Sequence, residues 1–107
     1  MTIFMVETYV VNPDKLGEFP AFVKKWDAFM KKRPALFKEM KSSHVFSQMF
    51  GGNSSAGIWM TEYESLAELE KSFNKLKEDK ELMNTMSEWN ELIMPGTHSV
   101  NIWTSVQ

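Results

Sequence analysis

Hydrophobic positions along this chain follow two rhythms, and the switches between them mark out the elements. Residues 3–11, IFMVETYVV, are rich in β-branched and aromatic side chains and predict a first strand. Asn12-Pro13 ends it: asparagine suits an N-cap, and proline suits the first helical position, where its missing N–H is not needed. Leu16, Phe19, Val23, Trp26 and Met30 then recur at spacings of three and four, and Phe22 and Phe29 widen the stripe. This is the broad buried face of an amphipathic helix, which Pro20 is expected to kink or delay. Lys31-Lys32-Arg33 reads as its solvated end, where positive charge suits the dipole. Pro34 restarts the chain, so that LFKEM forms a separate short turn or helix.

Residues 43–50, SHVFSQMF, predict a second strand, GGNSS at 51–55 a hairpin turn, and AGIWMTEY at 56–63 the returning strand. Lying between strands rather than before a helix, Gly51-Gly52 does not read as a phosphate loop. Ser65 with Glu68 has the capping-box spacing, and Leu66, Leu69, Phe73 and Leu76 give the next helix its stripe. KEDKE at 77–81 interrupts that phase. Met83, Met86, Trp89 and Ile93 resume it until Pro95-Gly96 stops the helix, and HSVNIWTSV at 98–106 alternates as a last strand.

Two β-α-β halves predict an α+β, ferredoxin-like βαββαβ fold: one domain over 1–107, a four-stranded antiparallel sheet with helices on one face. The other face is then bare, about 26 by 19 Å or on the order of 500 Å² from the standard strand rise and spacing. The alternation is read here as placing Met5, Glu7 and Tyr9, then Trp59, Thr61 and Tyr63, and finally Ser99, Asn101 and Trp103 on that bare face. Met60, Val100 and Ile102 go under the helices; for the second strand, His44, Phe46 and Gln48 alternate with Val45, Ser47 and Met49 and the direction stays open. A homodimer that stacks two such sheets as a dimeric α/β barrel would leave room for side chains or one small ligand.

Composition narrows the function class. A net charge of −2 gives no basic face for nucleic acid, and zero cysteines exclude disulfides and thiolate chemistry and fit a cytoplasmic protein. No apolar run reaches the ~20 residues that span a bilayer, and the first residues lack the features of a signal peptide.

Two segments carry a resemblance. ETYVVNPDKLGEF at 7–19 and WMTEYESLAELEKSF at 59–73 are similar to the corresponding strand-to-helix segments of the dimeric α/β-barrel superfamily, above all of NIPSNAP-type proteins and antibiotic-biosynthesis monooxygenases. The resemblance implies a homodimer with a pocket between sheet and helices or between two sheets. It also implies a choice of activities: cofactor-independent oxygenation of polycyclic aromatics, isomerisation, haem binding, or no catalysis. Glu7 stands where NIPSNAP-type proteins often carry an arginine.

Candidate chemistry is sparse. A carboxylate on a shielded sheet face has a raised pKa and can act as a base, so Glu7 is the catalytic candidate, with Tyr9 to hold it or a substrate oxygen. A salt bridge or hydrogen bond from Glu7 across the dimer is the structural alternative. Trp59, Tyr63 and Trp103 can stack on a planar ligand or simply pack, and Gln48 and Asn101 can bond a substrate carbonyl or each other. His44 is the candidate axial ligand should haem bind, with His98 ranked below it; the histidines have no metal-site spacing, and no cofactor is expected. Trp26 and Trp89 read as core. The sequence thus points to a ligand-binding homodimer, with an interaction protein whose open face serves only for dimerisation as the alternative.

Overall fold

A computed structural model describes residues 2–107. The strands β1 (Ile3–Val10), β2 (Met40–Ser47), β3 (Ala56–Tyr63) and β4 (Ser99–Thr104) form one antiparallel sheet in the order β2-β3-β1-β4. This is the ferredoxin-like arrangement expected, with helices α1 (Phe19–Lys32), α2 (Leu66–Leu76) and α3 (Lys80–Leu92) between the strands. No helix is long and apolar enough to cross a membrane among the described residues.

Local signals explain most boundaries. The Asn12 side chain accepts from the Asp14 N–H, but Pro13–Glu18 winds as a 3-10 turn and α1 begins only at Phe19, with Pro20 in its first turn. The Ser65 side chain caps α2 by accepting from the Glu68 N–H, and Asp79 caps α3 through the Leu82 N–H. Of LFKEM, residues 36–39 belong to a turn and Met40 opens β2. That strand starts at Met40, three residues earlier than its β-branched content suggests, with a bulge between Met40 and Ser42; residues 48–55 are all loop.

The register decides which side chains face the helices. Across the sheet, Val45, Trp59, Glu7 and Val100 lie in one row, and Ser43, Thr61, Met5 and Ile102 in the next. Trp59, Thr61, Tyr63, Ile3, Met5 and Tyr9 are buried beneath the helical layer. This corrects the expectation for β1 and β3: Met5, Glu7, Tyr9, Trp59, Thr61 and Tyr63 face the helices, and Met60 faces outward. A strand's side-chain period is two, so a one-residue misreading inverts both faces. Both faces of β1 and β3 are apolar, and the charge at Glu7 pointed the wrong way.

The core is aromatic. Trp26, Trp59 and Trp89 meet edge to face, with Trp26–Trp59 centroids 4.9 Å apart and Trp59–Trp89 5.9 Å apart, and Phe29 and Phe37 close around Trp26. The Trp59 Nε1–H donates to Ser43 Oγ at 3.0 Å. Tyr9 lies between Phe19 and Trp89, its ring over Gly57 on the neighbouring strand. A Cβ at position 57 would come within 2.6 Å of that ring, so the close approach requires glycine.

Ion pairs tie the helices down at their ends. Arg33, just past α1, binds Asp79 and Glu81 at the start of α3, which gives the basic run a tether as well as a solvated end. Lys75 on α2 bonds the buried Glu39 at 2.5 Å and the Ala35 carbonyl at 2.9 Å.

Candidate functional site

Between the helical layer and the sheet lies a cavity of about 480 Å³, within the ~300–1,000 Å³ typical of small-molecule sites. Its floor is Met5, Glu7, Trp59, Thr61, Tyr63 and Val100, contributed by β1, β3 and β4. Phe73, Leu76 and Lys77 from the end of α2 and Leu82, Met83 and Met86 from α3 roof it. Phe73, Lys77, Met83 and Val100 are exposed and mark its mouth, because β4 is an edge strand that no helix covers.

The chain needs two short helices here rather than one. KEDKE breaks the apolar phase, α2 stops at Leu76, and Asp79 restarts the helix. The apolar stripes of the two helices therefore approach the sheet separately, and the cavity opens on both.

Glu7 is the one carboxylate in this cavity. Burial raises its pKa above the usual carboxylate value, and His98 partly offsets the rise. His98 Nε2 lies 2.9 Å from Glu7 Oε1, and the imidazole packs edge to face on Trp89 with centroids 4.9 Å apart. The segment before β4 holds His98 in place. Val11 bridges Ile93, the Met94 N–H donates to the Val10 carbonyl, and Thr97 Oγ1 accepts from the Val10 N–H at 3.1 Å. One residue later, His98 reaches back over Glu7.

Such a pair can take a proton from a bound molecule. The carboxylate is shielded, its pKa is shifted toward neutrality, and a partly exposed imidazole joins it to solvent.

The structure brings together only some of the residues singled out in the sequence. Glu7, Trp59 and Tyr63 share the cavity. Tyr9 does not line it: its hydroxyl is buried without a hydrogen-bond partner, and burial together with the Glu7 charge pushes it to hold its proton more tightly. Burial does the same to the Tyr63 hydroxyl. Asn101 and Trp103 lie on the opposite face of the sheet, as expected for β4, and are exposed. His44 lies on that face too, exposed and stacked on Phe46, with ring centroids 5.9 Å apart. Gln48 lies beyond β2 and donates to the Phe50 carbonyl at 2.9 Å, so it pairs with its own loop and not with Asn101.

His98, weighed in the sequence only as a haem ligand below His44, is the residue that meets Glu7 in the candidate site. The signal was present: His98 shares parity with Val100 and Ile102, which alternation places under the helices. Only the inverted parity of Glu7 kept the two apart. Within the chain Glu7 bonds His98 and faces the helices, not the open sheet face from which a bond across a dimer was expected.

Neither a family model nor a curated protein matches the chain. Solved structures do. A NIPSNAP family protein from Agrobacterium tumefaciens is similar over all of this chain and 95% of its own, with a TM-score of 0.77 and 20% identity. A putative antibiotic biosynthesis monooxygenase from Bordetella bronchiseptica covers 99% of this chain and 98% of its own, with a TM-score of 0.70 and 12% identity. A variant of a cofactor-independent oxygenase from Streptomyces nogalater covers 99% and 94%, with a TM-score of 0.69 and 10% identity. The chain has the fold shared by NIPSNAP proteins and antibiotic-biosynthesis monooxygenases.

Proposed function

We propose that the chain binds a small, predominantly apolar molecule in the helix–sheet cavity and that Glu7 takes a proton from it. The observation that carries this reading is a roofed apolar cavity with a single carboxylate, its pKa raised by burial and its orientation set by His98. A base so placed suits oxygenation or isomerisation begun by removing a weakly acidic C–H or O–H proton, with no cofactor. The solved oxygenase of the same fold is itself described as cofactor-independent.

Binding is tested with the neutral fluorophore N-phenyl-1-naphthylamine. One site per chain is expected, lost in Met83→Trp, which fills the mouth from a partly exposed position. No binding, or binding indifferent to that substitution, refutes the cavity as the site. For any substrate turned over, Glu7→Gln should lower kcat by about 10²–10⁴-fold, the usual contribution of a general base, with KM little changed.

The protein acts as a homodimer in this reading. Phe4, Val6, Phe46, Ile58, Met60 and Trp103 give the uncovered sheet face an apolar surface, which in water favours a second sheet. The same surface is what favours the second reading, an interaction protein without catalysis. A haem reading rests on His44, which is outside the helix–sheet cavity, so the porphyrin would need that second sheet to enclose it.

A further inference from the structure

Glu7 is not the cavity's only charge; Lys77 lines it too, at the mouth, as the residue that closes α2. Of the charges near it, Glu78 and Lys80 lie outside the cavity lining and several others are held in pairs. Arg33 holds Asp79 and Glu81, and Lys75 holds Glu39. Lys77 makes no ion pair among the described residues. Every remaining lining residue apart from Thr61 and Tyr63 is apolar, and Met5, Met40, Met83 and Met86 are among them. Methionine is unbranched and adapts to its neighbour, which suits a flexible chain better than a fixed planar outline. The cavity is therefore polarised, with an unmatched cation at the mouth, a pliable apolar interior and a shielded carboxylate on the floor.

On the cavity reading given above, we infer that the ligand is an apolar monocarboxylic acid, its carboxylate held at Lys77 and its apolar body lying among the methionines toward Glu7. The polarity fits one orientation only. The ligand's negative charge stays at the solvent end, where desolvation is least, and away from Glu7, whose own charge would repel it.

Lysine stems also cover apolar surface while their ammonium stays in water, with no ligand involved. The two roles separate experimentally, because a covering role does not distinguish a carboxylate from an alcohol. Decanoate and 1-decanol displace N-phenyl-1-naphthylamine from the wild-type protein and from Lys77→Gln in low-salt buffer near pH 8. The quantity read is the affinity for decanoate divided by that for decanol. It should fall about fivefold in Lys77→Gln, in line with a partly exposed charge pair, and the wild-type ratio should shrink as salt is raised. Lys77→Arg should retain it. If both ligands displace the fluorophore and the ratio is the same in both proteins, the carboxylate assignment is wrong and the cavity reading stands. If the fluorophore never binds, both fall together.

Discussion

One row of the sheet, Val45–Trp59–Glu7–Val100, lies on the helix side, and the next row along, His44–Met60–Val6–Asn101, faces outward. Hydrophobic content barely separates them. What separates them is the partner each meets. The first row meets the aromatic wall of α1 and α3 at Trp59, which is buried, and leaves Glu7 half-buried beside it, so the carboxylate has its pKa shifted. The second meets nothing within the chain, so its side chains stay half-buried or exposed. Chemistry needs the shielding that the helices supply; association needs the surface that they leave open.

The largest effect should separate the faces directly. Trp59→Ala empties the centre of the aromatic core and should cost about 3–5 kcal/mol in urea unfolding, the usual range for a buried tryptophan. Trp103→Ala, on the outward face, should cost under about 0.5 kcal/mol of chain stability at concentrations where the protein is monomeric. Equal losses would mean that the faces are not the two environments described. Next, Ile58→Asp places a charge in the middle of the open face. If the proposed homodimer forms through this face, the substitution should weaken it at least about tenfold by sedimentation, since an unpaired charge buried in an interface is costly, while the fold persists. A dimer that persists unchanged would place its interface elsewhere, and a monomer in the unsubstituted protein would overturn the homodimer proposal.

Gly57→Ala acts on the covered face through the Tyr9 ring and should lower stability by about 1–3 kcal/mol, as overpacking does. Tyr9→Leu in the same chain should restore part of the loss. The smallest effect is one of pH. The folded chain holds a proton on Glu7 at pH values where the unfolded chain has released it, because burial raises the folded pKa. Stability from this group therefore rises as pH falls from the folded pKa toward the ordinary carboxylate value, and is lost as pH climbs back. Glu7→Gln should flatten that slope in urea unfolding measured across this range. A slope unchanged in the variant would mean that Glu7 does not titrate in a buried setting.

Much of the architecture was legible in the sequence because separate local signals agreed: Ser65 with Glu68, the stripe around Trp26, the phase break at KEDKE and the alternation of β4. The site was only half legible. Trp59, Tyr63 and Glu7 were identified, but on the wrong face, since strands with apolar residues at both parities carry no internal sign of which side is covered. That sign comes from the neighbours, Val45 and Val100, once the register is known. Lys77 was hidden for another reason. In sequence it is one charge in a run of five, and only the fold shows that it alone of them lines the cavity.

The connection from Ile93 to Thr97 bears on how the pair could be lost. Its two ends are fixed at and just past the end of β1, by Thr97 on the Val10 N–H and by the Val11–Ile93 bridge, so its length sets the phase in which β4 begins. A single residue inserted between Thr97 and His98, with β4 keeping its alignment from the Thr97 end, would turn the following strand over. His98 would leave Glu7, and Trp103 would move to the helix side. Loops usually tolerate insertions, but this one acts as a reading frame for the Glu7–His98 pair.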